Sequence, residues 1–282
     1  MVLVLPWPMW EDALPREFPY GTWGFVALLI ISIAYLLTMW LIGLLFLRTY
    51  KLFPQKKEYK YFGIGILTVA FFDSIHVLGD IMFFIMNDSR VPIALGADVV
   101  FYFYPTATSL SVMGIFVFYI LVYTYGVYKL EERKPFDNVF YALGLLGIAL
   151  GLNPYNFWHM VKPEGAFDTK PITGIFLLIV GILAVYKFYT ALKTKLSLEL
   201  EKAPGGMKRI KIVTWGLILM LILVFLMVPH GMLASLAGKG VEWAKVAMIV
   251  ITYIKLISLG SSAILIYSGF VWPSWAERIF GK

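Results

Sequence analysis

Long apolar segments separated by short polar ones make up most of the chain. A helix needs about 20 apolar residues to cross the hydrocarbon core of a bilayer. We predict seven such helices, at residues 22–48, 60–86, 97–128, 136–153, 171–192, 209–236 and 242–271. The fourth is the shortest, and Pro229 is expected to break the sixth near its end. The pattern therefore predicts an all-α fold, a polytopic integral membrane protein built as a seven-transmembrane-helix bundle.

Composition supports a membrane protein and excludes several other classes. The chain has 282 residues, of which 60% are hydrophobic and 15% charged, with a mean hydropathy of +0.81. Soluble domains carry about 25% charged residues, and no polar stretch here is long enough to form one, so residues 1–282 are expected to form a single transmembrane domain. The absence of cysteine excludes disulfides and thiolate metal sites. The scarcity of Gln and Asn favours a thermophilic source.

The distribution of basic residues predicts the orientation of the helices. Of the 24 Lys and Arg residues, only six precede the first helix or lie near the loops on the N-terminal side. These are Arg16, Arg90, Lys162, Lys170, Lys239 and Lys245. All others except Lys255 lie near the opposite loops or the C-terminus, and the positive-inside rule places that side in the cytoplasm. We therefore predict a multi-pass cell-membrane protein with its N-terminus outside and its C-terminus inside. No nucleic-acid partner is needed to explain the net charge of +7.

Three ionisable residues interrupt the second apolar helix. Asp73, His76 and Asp80 are spaced by three and four residues, which places them within about 60° on one helix face. A charged side chain in hydrocarbon costs at least about 2.5–3.5 kcal/mol. This face therefore needs partners or water inside the bundle, and it is the main candidate for a functional site.

Polar residues on three other helices are expected to face the same region. They are Asp98 and Tyr102 on the third helix, His230 on the sixth, and Lys255 and Ser258 on the seventh. The predicted helix directions put all of them in the outer half of the bundle, so we predict a polar pocket for a ligand or an ion that opens outward. A structural ion pair between Asp73 and Lys255 is the alternative explanation for these two residues.

The same residues include a set of metal-ligand types. Asp73, His76, Asp80 and His230 offer nitrogen and oxygen donors that suit zinc, manganese or iron, although no HExxH or HxxxH pair is present. Retinal is not expected, because Ile251 stands where retinal proteins usually have an Asp, four residues before the Schiff-base lysine. No Ser–His–Asp order or phosphate loop is found. The sequence therefore leans away from an enzyme.

A short motif in the second helix is similar to part of a known family. The segment FFDSIHVLGDIMFF contains Asp73 and His76 as an Asp-x-x-His motif, and in this it resembles the membrane-associated sensor domains of bacterial and archaeal signalling kinases. The resemblance implies a seven-helix sensor. No kinase region follows in this sequence, so we expect a separate cytoplasmic or membrane signalling partner that docks at the basic 193–211 loop.

Three functions remain open at this point. A sensor or receptor-like protein would bind a small ligand, a cation or protons in the outward pocket. A small-solute or proton-coupled transporter would also need polar groups in the inner half, for which Thr38, Thr68, Ser261 and Tyr267 are the candidates. An intramembrane metal-dependent enzyme would act on lipids. The pattern favours the sensor over the transporter, and the transporter over the enzyme.

Overall fold

A computed structural model describes residues 21–87, 97–152, 170–238 and 241–280. All regular elements in these ranges are helical. In chain order they are α1 (Gly21–Leu52), α2 (Lys57–Asn87), α3 (Ala97–Leu130), α4 (Pro135–Gly151), α5 (Lys170–Ala191), a π-helical turn (Leu192–Leu196), α6 (Ser197–Glu201), α7 (Gly206–Gly238), α8 (Glu242–Val271) and α9 (Ser274–Phe280).

The prediction of a helical, multi-pass membrane protein is confirmed. Six segments of the described chain are long and apolar enough to cross a membrane, namely Leu29–Leu52, Lys57–Gly79, Leu110–Leu130, Ile172–Glu201, Gly206–Leu226 and Val250–Val271. The α4 helix is apolar but shorter. All seven predicted helices are present, with ends that agree to within four residues. The seventh membrane crossing and the orientation stay predictions.

Two segments that we expected to interrupt helices are themselves helical. The α7 helix continues through Pro229, where we expected a break. Most of the predicted 193–211 loop is also helical, because the π turn, α6 and the start of α7 occupy it. Leu192, Leu196 and Leu200 recur every fourth residue and are all buried, so an apolar stripe carries the helix beyond the lysine-rich stretch that suggested a loop.

The six long helices pack in a ring. Each contacts two others in the order α1, α2, α3, α5, α7, α8 and back to α1, while α4 lies against α3 and α5. Short connections at residues 53–56, 131–134 and 202–205 join helices at one end of the bundle, which also holds the end of α8. We call this the basic end, because the three connections and the turns beside them contain most of the Lys and Arg residues.

An aromatic cluster fills the bundle between its middle and the basic end. It consists of the buried side chains of Phe46, Phe62, Tyr125, Phe188 and Phe270, contributed by α1, α2, α3, α5 and α8. Ring centroids lie 5.1 Å apart for Phe62 and Phe188 and 5.7 Å apart for Phe62 and Phe270. Such contacts add about 0.5–1.5 kcal/mol per pair beyond burial, so this cluster holds the ring together.

The outer faces of the helices carry the exposed apolar side chains. On α1 they are Ile30, Ile33, Leu37, Leu41 and Leu44, and on α8 they are Trp243, Val246, Val250, Ile254 and Ile257. Steps of three and four residues put each set on one helix face. Apolar faces of this size are unfavourable in water, which indicates contact with a lipid bilayer.

A glycine stripe on α4 allows close packing against its neighbours. Gly144, Gly147 and Gly151 are buried and lie on one face. A β-carbon added at Gly147 would lie 2.5 Å from ring atoms of Phe116 in α3. Small residues of this kind let helix backbones approach in membrane bundles, so α4 is positioned by the absence of side chains.

We expect Gly147→Ala to destabilise the protein by about 1–3 kcal/mol, because the methyl group overlaps a fully buried ring. The control is Gly174→Ala on α5, where an added β-carbon meets nothing within 4 Å and the higher helix propensity of alanine is expected to be neutral or stabilising. Denaturant unfolding in detergent micelles measures both changes. Equal effects of the two substitutions would contradict the close approach of α4 to α3.

Candidate functional site

Asp73 lies in the middle of α2 and is buried. The hydroxyl of Tyr35 in α1 donates a 2.7 Å hydrogen bond to its Oδ2 atom. The hydroxyl of Ser111 in α3 donates a hydrogen bond to its Oδ1 atom. A buried carboxylate is strongly destabilising unless it is hydrogen-bonded. These two bonds satisfy both oxygens and link α2 to the helices on either side.

The next residue adds a second polar contact between α1 and α2. The indole N–H of Trp40 donates a 3.1 Å hydrogen bond to the hydroxyl of Ser74, which itself donates to the carbonyl oxygen of Ala70. The Asp73 side chain therefore has little freedom to turn, because hydrogen bonds between neighbouring helices hold both it and the adjacent residue.

Two basic side chains lie within electrostatic reach of Asp73. They are His76, one turn further along α2, and Lys255 in α8. Ion pairs occur elsewhere in the described part of the chain, but none joins Asp73 to Lys255 directly. The carboxylate bonds to hydroxyl groups instead. The two side chains therefore do not form the direct contact of a structural ion pair in the described structure, and their part in a common site stays a prediction.

The described side chains include only part of the predicted pocket. Asp73 lies within electrostatic reach of His76 and Lys255, and Ser258 is buried one turn beyond Lys255 on α8. The predicted site residues Asp80, Asp98, Tyr102 and His230 belong to helices, but their side chains lie outside the described part of the structure. The pocket and its outward opening therefore stay predictions.

The described residues alone do not form the predicted metal site. No group of three or more His, Asp or Glu side chains among them could hold a metal ion. Two of the four predicted ligands, Asp80 and His230, are among the side chains outside the description. The oxygen atoms of Asp73 that would bind a metal already accept hydrogen bonds.

Sequence reasoning missed both direct partners of Asp73. Tyr35 lies in an apolar helix, where a tyrosine does not by itself indicate a polar contact. Ser111 is nine residues beyond Tyr102, the predicted pocket residue on α3, and this spacing puts the two residues on opposite helix faces. Only the packing of α3 against α2 reveals that this face meets Asp73.

A second buried carboxylate lies at the basic end. Asp137, in the first turn of α4, is 1% exposed. It accepts hydrogen bonds from the Tyr123 hydroxyl at 2.5 Å, the Lys134 backbone N–H at 2.7 Å and the Lys187 ammonium at 3.1 Å. These contacts connect α3, α4 and α5. Asp137 was not predicted as a site residue, because it closely follows the charged connection at residues 131–134, where a carboxylate is expected to be exposed.

A buried guanidinium group lies at the same end. Arg209 in α7 is 7% exposed and donates hydrogen bonds to the carbonyl oxygens of Gly269 and Phe270 in the last turn of α8. Its guanidinium carbon is also 5.9 Å from the ring centroid of Trp272. The last carbonyl groups of a helix have no intrahelical partner and carry a partial negative charge. Arg209 therefore caps α8.

The fold and these contacts define a multi-pass helical membrane protein with buried, hydrogen-bonded charges in the middle of the bundle and at its basic end. Comparisons with protein-family models, with curated proteins and with solved structures find no match for the chain. The resemblance to kinase-linked sensor domains therefore stays a prediction based on the Asp-x-x-His motif.

Proposed function

We propose that the protein is a membrane sensor or receptor-like protein in which Asp73 is the responding group. The observation that carries the proposal is the position of this carboxylate: it is buried, hydrogen-bonded to both neighbouring helices and within electrostatic reach of His76 and Lys255. A change in the charge of this group, or of His76 beside it, alters the contacts of three helices at once. Histidine titrates near neutral pH, which suits a response to protons or to a small cation.

The packing between Asp73 and the basic end supports a sensor over a transporter. The aromatic cluster begins at Phe62, eleven residues before Asp73, which is about 16 Å along the helix. All five of its side chains are buried. Two candidates for an inner polar path, Thr38 and Thr68, donate hydrogen bonds to carbonyl oxygens of their own helices. A signal would then reach the basic end through helix movement, with the segment 193–211 as the surface for a partner.

Transport is the alternative, and one observation favours it. Besides Asp73, the bundle buries two carboxyl groups at its basic end, Glu58 and Asp137. Ionisable groups at two depths are typical of proton relays in transporters. Proton flux into proteoliposomes distinguishes the two functions, because a sensor passes no net flux.

The test of the sensor proposal is a charge-neutralising substitution at Asp73. In nanodiscs, we expect a shift from about pH 8 to about pH 5 to change the amide protection factors of residues 197–205 in the wild type, after the exchange rates are corrected for the pH dependence of unprotected amides. Asp73→Asn should abolish this change, because the asparagine keeps the shape but carries no charge. The control is Thr68→Val on the same helix, whose hydroxyl bonds only within α2 and whose loss should leave the response intact. An unchanged response in Asp73→Asn would refute the proposed role of this residue.

The electrostatic link to α8 can be measured separately. In a double-mutant cycle of Asp73→Asn and Lys255→Met, we expect a coupling free energy of about 1 kcal/mol in unfolding, since the two charges interact without direct contact. Lys255→Met alone should also reduce the pH response. A coupling of zero would show that Lys255 plays no part in the site.

A further inference from the structure

A groove runs along the side of the bundle where α1 and α2 meet. It has a volume of about 470 Å³, which is within the range of small-molecule sites. Its lining consists of one side chain from α1 and five from α2, namely Trp40, Ile64, Leu67, Thr68, Phe71 and Phe72. Ile64 is 38% exposed and Phe71 is 51% exposed, so the groove opens toward the surrounding bilayer.

Both polar side chains in the lining already donate their hydrogen bonds inside the protein. The hydroxyl of Thr68 donates to the carbonyl oxygen of Ile64, and the indole N–H of Trp40 donates to the hydroxyl of Ser74. The other four lining side chains are hydrocarbon. The groove therefore suits a hydrocarbon chain and not a polar solute.

Two close contacts fix the level at which α1 and α2 face each other. A β-carbon added to a glycine of one helix would lie 2.7 or 2.8 Å from a leucine of the other, for Gly43 beside Leu67 and for Gly63 beside Leu47. The helices are antiparallel, and four residues further along α1 correspond to four residues earlier in α2. One more such step puts Lys51, near the end of α1, level with Lys60, near the start of α2.

These two lysines lie at the basic end of the groove. Lys51 follows Trp40 by eleven residues, and Lys60 precedes Phe71 by eleven residues. Eleven residues make about three helical turns, so each lysine is on the groove side of its helix. Both are exposed, and neither forms an ion pair with a carboxylate of the described residues. Two ammonium groups at one level without a counter-ion suit an anionic group.

The distance from the lysines to the far end of the groove matches one leaflet of the bilayer. Eleven helical residues span about 16 Å, and half of the hydrocarbon core is about 15 Å thick. Lys51 and Lys60 also lie near the ends of the apolar segments Leu29–Leu52 and Lys57–Gly79, where lipid headgroups are expected. A lipid phosphate between the lysines would therefore place a hydrocarbon chain along the groove as far as Trp40 and Phe71.

We propose that this groove binds one anionic phospholipid. Its phosphate lies between the ammonium groups of Lys51 and Lys60, and one hydrocarbon chain lies along Trp40, Thr68 and Phe71. The two lysines favour a lipid with a net negative charge over a zwitterionic one, whose own ammonium group they repel. This lipid site does not depend on the sensor function, and either proposal can fail without the other.

Native mass spectrometry of the full-length protein in detergent tests the charge preference, because it counts bound lipids. With phosphatidylglycerol and phosphatidylcholine of identical chains, we expect one phosphatidylglycerol to bind at least about tenfold more tightly. Lys51→Gln with Lys60→Gln should lower its affinity about 30-fold, the effect of two lysines at an anionic lipid surface. The control is Lys193→Gln with Lys195→Gln, which removes the same charge from exposed positions across the ring from α1 and should leave the affinity unchanged. Equal affinities for the two lipids, or equal losses in the two double variants, would overturn the anionic site.

Filling the groove tests the position of the hydrocarbon chain in the same measurement. Thr68→Phe places a ring where the chain would lie, so we expect it to weaken the binding of phosphatidylglycerol at least about tenfold. Thr68→Val is the matched control, because valine has nearly the same volume and leaves the groove open. Wild-type binding in Thr68→Phe would overturn the groove as the lipid site. A wild-type dimer that dissociates in Thr68→Phe would show that a second copy of the chain occupies the groove instead of a lipid.

Discussion

Replacing Asp137 by alanine is expected to lower the free energy of unfolding by about 3–5 kcal/mol, the usual cost of breaking a buried ion pair by removing one partner. The substitution removes three hydrogen bonds at once. It also leaves the ammonium of Lys187, whose side chain is 13% exposed, without its carboxylate. Three helices lose a common contact, so the effect should appear in global unfolding.

Denaturant titration in detergent micelles measures this change, and the chain offers a close control. Glu132 and Lys134 form an ion pair of 3.2 Å in the same connection, but both side chains are more than 60% exposed. Exposed pairs contribute about 0–1 kcal/mol, so Glu132→Ala should have little effect. Adding Lys187→Met to Asp137→Ala should recover part of the loss, because the orphaned charge is removed. Similar results for Asp137→Ala and Glu132→Ala would show that burial does not strengthen the Asp137 contacts.

The second large effect is expected at Arg209, where Arg209→Met should cost about 3 kcal/mol. Hydrogen bonds from a charged donor contribute about 1.5–3 kcal/mol each, and two of them end on the last turn of α8. Methionine fills a similar volume but cannot donate. The carbonyl of Gly269 then loses its side-chain donor, and that of Phe270 keeps only a 3.4 Å hydrogen bond from the Tyr59 hydroxyl. The contact between α7 and α8 is weakened at the basic end.

Arg209→Lys separates the two contributions of the guanidinium group. Lysine keeps the charge near the helix terminus but lacks the planar fork that reaches two carbonyl oxygens, so an intermediate loss of stability is expected. Lys211→Met, at an exposed position on the same helix, should change stability by less than about 0.5 kcal/mol. Thermal unfolding of the purified protein measures all three. A wild-type unfolding temperature for Arg209→Met would rule out capping as the reason for the burial of this arginine.

The helices were predictable because membrane-spanning segments depend on local sequence. An apolar run of about 20 residues has few alternatives in a bilayer, and the ends of all seven predicted helices lie within four residues of the observed ones. The error at 193–211 has a physical cause. Lysine density suggested a loop, whereas the buried stripe of Leu192, Leu196 and Leu200 continues the helix. Periodicity was the better guide there than composition.

The polar contacts were less predictable because they depend on which helices are neighbours. Asp73 was predictable because it is a charged residue in an apolar helix. Its hydrogen-bond partners were not, because Tyr35 lies 38 residues before it and Ser111 lies 38 residues after it. Glu58 and Asp137 each follow a connection with charged residues, where a carboxylate is expected to be solvated. Asp137 is held by side chains from α3 and α5, which are distant in sequence, and no local pattern encodes such packing.

The π turn at Leu192–Leu196 has a practical consequence for this chain. A helical wheel drawn through Lys170–Glu201 at a constant 100° per residue gives the correct side-chain directions only up to the start of the π turn. A π turn takes one residue more than an α turn, so every later side chain is rotated by about 100° from its drawn position. Glu199, which reaches Lys129, would be drawn facing elsewhere. To place spin labels or crosslinkers on α6, a separate helical wheel should therefore be drawn that starts at Ser197.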